Sequence, residues 1–217
     1  MCGIIGFTSD NVTKQDLSVL RRALIESKIR GKHASGVAWC NFKGDILSIV
    51  KPESIDKLME EIDLGTMVYN GKISMIAHAR YSTSDIRFNQ PIIGDKLAIA
   101  HNGVVTQSPP ETWKKTYKYK CKTCNDSELL LRALESGDDF SVFKGASIAA
   151  VMLDNTGGLS SYRNGLRPLY TGRVGKGIIY GSTFDILNRA GVKDIRKLQP
   201  LGELEERQYR SNQYENR

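Results

Sequence analysis

Short apolar runs punctuated by Gly, Asn, Asp and Pro set the terms on which this chain can fold. Residues 2–7, 36–40, 46–50, 73–77, 97–100, 148–153, 159–162, 169–171 and 177–180 have the length and composition of strands. The segments 41–45 and 154–158 are rich in turn-forming residues and sit between strand pairs, which predicts antiparallel hairpins. Helical spacing is clearest over 13–28, where Leu17, Leu20, Leu24 and Ser27 share a face, and over 126–134, where an acidic first turn feeds three leucines. Shorter helices are predicted over 54–61 and 184–190, and 109–122 reads as an irregular excursion. Strands outnumber helices and the order is mixed. The pattern alone therefore predicts an α+β fold with sheets covered by helices.

Length and composition narrow the function. A chain of 217 residues can bury a sizeable core. No run approaches the roughly 20 apolar residues of a membrane helix, and no basic-then-apolar leader precedes the first strand. Four cysteines are too few for a disulfide framework, which points to a reducing, cytoplasmic setting. The net charge of +7 leaves a nucleic-acid or acidic-protein partner open, although no basic block stands out. The densest basic-aromatic stretch joins Lys114, Lys115, Lys118, Lys120 and Lys122 to Trp113, Tyr117 and Tyr119. The Cys121-x-x-Cys124 pair lacks the four ligands of a structural zinc site, so neither a metal nor another cofactor is expected.

The chemistry-bearing residues are spread along the chain. Cys2 follows the initiator Met, and removal of Met1 would put a thiol and a free amine on one residue. Such an amine titrates near pH 8 (reference value about 7.7–8.0) and can serve as a base for the neighbouring sulfur. A structural cysteine opening a strand is the plainer reading of Cys2 taken alone. Arg80 and Tyr81 lie in Ala-His-Ala-Arg-Tyr-Ser-Thr-Ser, just past an apolar run, where a guanidinium can fork onto a carboxylate or make a structural ion pair. His101, Asn102 and Gly103 follow another run. Asn102 can donate from its side chain and Gly103 can bring a backbone N–H close, as an oxyanion hole requires, though Asn-Gly is also a turn pair. Asp126 can cap a helix or hold a substrate ammonium.

In this order, these pieces resemble the glutaminase domain of the class II glutamine amidotransferases, the N-terminal-nucleophile type. Cys-Gly-Ile-Ile-Gly resembles that family's opening strand, and Arg-Gly-Lys-His-Ala-Ser-Gly at 30–36 its arginine-glycine loop. Within the family the likeness is nearest to phosphoribosylpyrophosphate amidotransferases, through Arg163-Asn-Gly-Leu-Arg-Pro-Leu169, Gly181-Ser-Thr183 and Leu198-Gln-Pro-Leu-Gly-Glu203. It runs from Cys2 to about Glu203, leaving 204–217 as a charged tail.

The resemblance implies a four-layer αββα sandwich of two antiparallel sheets, and roles by position. Cys2 would attack the glutamine side-chain amide and form a γ-glutamyl thioester. Asn102 and Gly103 would hold the oxyanion. Arg80, Tyr81, Thr83, His101 and Asp126 would surround the amino-acid end, with Arg80 on the carboxylate and Asp126 on the ammonium. Two departures stand out: His33 replaces the usual Asp of the arginine-glycine loop, and Asp85 replaces a usual Gly. No phosphoribosyl-, sugar- or ATP-binding motif follows the domain. The expectation is a stand-alone glutaminase that passes ammonia to a separate synthase protein, with oligomeric state open. The alternatives are an amidase for another γ-glutamyl or peptide amide, and an inactive module that binds glutamine or a partner.

Overall fold

A computed structural model describes residues 2–82 and 88–200 and the backbone of 205–206. Its strands are β1 (Gly3–Ser9), β2 (Ala34–Cys40), β3 (Ile46–Lys51), β4 (Ile73–Arg80), β5 (Ile92–Ile93), β6 (Leu97–Val104), β7 (Ser147–Asp154), β8 (Leu159–Arg163), β9 (Tyr170–Val174), β10 (Gly177–Gly181), β11 (Lys193–Lys197) and β12 (Glu205–Glu206). Its α-helices are α1 (Lys14–Glu26), α2 (Ile55–Glu61), α3 (Pro110–Tyr117), α4 (Ser127–Glu135) and α5 (Phe184–Ala190). Among the described residues no helix is long and apolar enough to cross a membrane.

The strands form two sheets, ordered β11-β9-β10-β1-β4-β2-β3 and β12-β8-β7-β6-β5, and every pairing is antiparallel. Alternation along each strand separates three apolar layers. Ile5 and Phe7 of β1, with Met75, Ala77 and Ala79 of β4, face Leu20, Leu24, Leu58 and Leu187 of the covering helices. Ile4 and Ile76 face inward, against Ala98, Ala100, Ala149 and Val151 of the second sheet. Ile99, Ala150 and Met152 face outward again, under Leu129, Leu130 and Trp113. The result is helices, sheet, sheet, helices: the expected four-layer α+β sandwich.

Local chemistry fixes the element ends. α1 opens with a capping box, in which Thr13 Oγ1 accepts from the Asp16 N–H at 3.2 Å and Asp16 Oδ2 from the Thr13 N–H at 2.9 Å. Both expected hairpins are present, β2–β3 and β7–β8. The stretch expected to be irregular contains α3, which starts at a proline and buries Trp113. Strands β5, β11 and β12 were not expected. Of the charged tail, Glu205–Glu206 pairs with Ser160–Ser161 at the second sheet's edge.

Candidate active site

Several of the candidate residues converge at one end of the sandwich because strand register brings them there. Gly3 pairs with Ala79, so Cys2 lies one step beyond, level with Arg80, which itself pairs with Ala34 of β2. Arg80 shares its face of β4 with Ile76 and His78, the face turned toward the second sheet. Across the gap, Asn102 of β6 shares a face with Ala98 and Ala100 and meets Cys2 directly. The Cys2 N–H donates to Asn102 Oδ1 at 3.4 Å, and the Cys2 thiol donates to the Tyr81 carbonyl at 3.9 Å.

That contact leaves Asn102 with a donor to spare. The residue is buried, and among the described residues its Nδ2 has no hydrogen-bond partner. A buried amide donor without a partner costs on the order of 1–3 kcal/mol unless something accepts from it. Gly103 follows with φ +155°, and a Cβ there would stand 1.7 Å from the Ser147 carbonyl oxygen. Only glycine fits this turn of backbone.

The arginine-glycine segment packs on the same end. A Cβ on Gly31 would fall 2.2 Å from the Arg80 carbonyl carbon, so the bare glycine lets the loop lie against the Arg80–Tyr81 peptide. His33 stitches the two together. Its N–H donates to the Arg80 carbonyl at 3.0 Å, its Nδ1 accepts from the Ser82 N–H at 2.9 Å, and its ring lies 5.0 Å from that of Tyr81. A ring nitrogen in this position accepts a backbone N–H, as a carboxylate oxygen can. Burial lowers the Arg30 guanidinium's pKa, the Cys2 sulfur works in the opposite sense, and Arg167 reinforces the lowering.

Arg80 is 7% exposed, and its Nη1 donates to the Phe88 carbonyl at 2.8 Å and to Asn89 Oδ1. Asp126 precedes α4 without capping it. Its Oδ2 accepts instead from the Val105 N–H at 2.6 Å and the Thr106 N–H at 3.3 Å, just past Gly103. The carboxylate is thereby held beside the end of β6.

His101, expected at the amino-acid end of the substrate, is a buried residue of β6. Alternation turns it away from Asn102 and toward α4, where it is 2% exposed. Its Nδ1 sits 2.8 Å from Ser127 Oγ, its Nε2 3.3 Å from the Ser147 carbonyl, and its N–H donates to Gln90 Oε1 at 2.7 Å. Burial pushes its pKa down to about 4, so the ring is neutral and joins β6 to α4. Thr83 and Asp85 lie outside the described residues. His78, which sequence reading passed over, is 1% exposed beneath Arg80, and burial lowers its pKa to about 3.

The lysine-rich stretch borders a separate cleft of about 320 Å³ between α3 and the turn that follows it. Two of its three rings are withdrawn from the surface. Trp113 is 3% exposed and donates from Nε1 to the Ser108 carbonyl, and the Tyr119 hydroxyl donates to Asp138. Cys121 and Cys124 are free thiols, and burial pushes Cys121 up to about 11. Among the described residues no group of three His, Cys, Asp or Glu side chains stands ready to hold a metal.

Comparison with known proteins supplies an independent line. A family model described as a glutamine amidotransferase domain matches residues 78–189, a span that includes Arg80, Asn102, Gly103 and Asp126 but not Cys2. No curated protein matches significantly in sequence. Among solved structures, the glutamine phosphoribosylpyrophosphate amidotransferase of B. subtilis, complexed with ADP and GMP, superposes with a TM-score of 0.69 at 21% identity. The alignment covers 92% of this chain and 46% of that one. A structure described as the allosteric regulatory enzyme of purine biosynthesis gives 0.68 at 21% identity, covering 92% and 45%. The chain thus spans about half the length of these solved relatives, and what it shares with them is the two-sheet α+β fold.

Proposed function

The chain belongs to the glutamine amidotransferase domain family, and from that premise we propose that it releases ammonia from glutamine with Cys2 as nucleophile. The observation that carries this reading is the convergence of Cys2, Asn102 and Arg80 from three separate strands on one end of the sandwich. Once the residue before it is removed, Cys2 holds a sulfur nucleophile and an amine base on one backbone position. The sulfur attacks the side-chain amide carbon of glutamine. Asn102 Nδ2 and the Gly103 N–H receive the developing oxyanion, the amine passes its proton to the leaving nitrogen, and ammonia departs. Water then cleaves the γ-glutamyl thioester to give glutamate.

The amino-acid end supplies selectivity. Arg80 faces the α-carboxylate, and Asp126, preset by the Val105 and Thr106 amides, faces the α-ammonium. Tyr81 completes the rim, and Thr83 is assigned to the same end only from its place in the motif that holds Arg80 and Tyr81. A simple amide would leave both charges unanswered, which is how such a site discriminates. The glutaminase unit spans 2–203, and the ammonia passes to a separate protein that consumes it, in the cytoplasm. The test is glutamate and ammonia release by purified protein with a processed N-terminus, against Cys2→Ala. Equal release by both proteins would exclude this chemistry.

A further inference from the structure

The strand that delivers Arg80 does not aim it. β4 ends at Arg80, so the backbone fixes where the side chain begins and leaves its head to be fixed by something else. A guanidinium forks onto a carboxylate only when its plane is set, and freedom given up at the moment of binding is subtracted from affinity. Two acceptors on consecutive residues set it. Arg80 Nη1 donates to the Phe88 carbonyl at 2.8 Å and to Asn89 Oδ1.

The Phe88 carbonyl accepts a second bond, from Asn125 Nδ2 at 2.9 Å, so both of its lone pairs are used. Asn125 is itself held at the start of α4. Its Oδ1 accepts from the Ser127 N–H at 3.1 Å and its carbonyl from the Glu128 N–H at 2.9 Å. The acceptor segment is tied to the same helix start by Gln90, 6% exposed, whose Nε2 donates to Ser127 Oγ at 3.1 Å. Asn125 directly precedes Asp126. One short turn therefore carries the carboxylate offered to the substrate ammonium and, through the Phe88 carbonyl, steers the guanidinium offered to the substrate carboxylate.

We infer that Asn89 and Asn125 are positioning residues that set the site's preference for a free amino acid, Asn89 by bonding the Arg80 guanidinium and Asn125 by holding the carbonyl that shares it. The inference rests on glutamine being the substrate and on Arg80 meeting its α-carboxylate. Both asparagines are neutral, so they direct the guanidinium without competing for its charge. The α-carboxylate is unchanged as the side-chain amide reacts. Steering Arg80 therefore strengthens ground state and transition state alike, and its loss falls on KM and not on kcat.

The test compares two substrates in full-length protein with a processed N-terminus: L-glutamine, and L-glutaminamide, which keeps the ammonium but has an amide in place of the α-carboxylate. Asn89→Ala and Asn125→Ala each raise KM for glutamine about five- to twentyfold with kcat little changed, and side-chain deamidation of glutaminamide suffers far less. The ratio of kcat/KM for glutamine over glutaminamide falls accordingly. In an Arg80→Gln background neither substitution lowers that ratio further, as residues acting through one guanidinium require. Asn89 lies outside the turn before α4, so its variant reports on steering even where Asn125→Ala weakens that turn. Equal losses on both substrates, or a ratio unchanged in variants that melt like the parent protein, overturn the inference. A parent protein that deamidates neither substrate overturns the proposed function instead, so the two failures are distinguishable.

Discussion

The backbone nitrogen of Cys2 and Oδ1 of Asn102, a hundred positions apart in sequence, meet at 3.4 Å where the two sheets close on each other. This contact orients the Asn102 side chain so that its other end, Nδ2, is left free of partners among the described residues. Asn102→Ala removes that donor, and kcat for glutamine is expected to fall roughly 10²–10³-fold with a smaller change in KM. Steady-state ammonia release checks it. A change confined to KM would mean that Asn102 grips the ground state and not the oxyanion.

Asp126 gives the complementary result. Asp126→Asn keeps the acceptor oxygen used by Val105 and Thr106 but deletes the charge offered to an ammonium. KM for glutamine rises roughly 10- to 100-fold, the worth of a charged hydrogen bond, with kcat less affected. Simple amides, which lack the ammonium, are turned over as before. Equal losses on both substrates would place Asp126 in the fold's support, not in recognition.

How much of this was legible beforehand depends on how far each element announces itself. The strands of the two sheets are marked by apolar runs and turn residues, and the long α1 by its spacing. Strand β11 was not, because Lys193, Asp194, Arg196 and Lys197 give it the charged look of a loop. It lies at a sheet edge, where charge is tolerated and useful against unwanted pairing. Helix α3 hides behind two prolines and a lysine-rich surface, with only Trp113 buried. The buried setting of His101 has a plain origin. The apolar run ends at Ala100, but β6 continues to Val104, and two-residue alternation through that extension sends His101 and Asn102 to opposite faces. The side-chain partner of Asp126 was out of reach, since its bonds to Val105 and Thr106 depend on tertiary packing.

Acid stability follows from the two buried histidines. Folding lowers His78 to about 3 and His101 to about 4 from an ordinary 6.5, through burial above all. The unfolded chain therefore binds more protons below pH 6.5, and stability is complete above that value and lost as pH falls toward 4. Each histidine contributes on the order of 2 kcal/mol to the loss by pH 4.5. Urea unfolding between pH 7 and 5 tests this, with proton uptake on unfolding approaching two near pH 5. The carboxylates Asp56, lowered to about 2 chiefly by its bond from Lys28, and Glu128, lowered by Lys122, Arg132 and Thr123 against its burial, act at still lower pH. A flat profile across pH 5–7 would mean that the histidines take up protons alike in the folded and unfolded chain.

Glu128 anchors the cysteine-bearing turn to α4. Fully buried, it accepts from the Lys122 N–H at 2.8 Å and the Thr123 N–H at 2.7 Å and pairs with Arg132 at 2.8 Å. Glu128→Ala strands two amides and leaves Arg132 only its ion pair with Glu135 at 2.6 Å, and the expected loss is about 3 kcal/mol, read by chemical denaturation at pH 7. A loss below about 0.5 kcal/mol would show that the network adds little to the fold.

The central claim is that Cys2, exposed as a chain terminus, reacts with a glutamine-shaped electrophile. Mass spectrometry of the intact protein and its peptides, after treatment with 6-diazo-5-oxonorleucine, measures this directly. The account predicts a chain lacking Met1 and carrying one adduct, on Cys2, with excess glutamine protecting it. An adduct on Cys40, Cys121 or Cys124 in its place, or none on a properly processed chain, would contradict it.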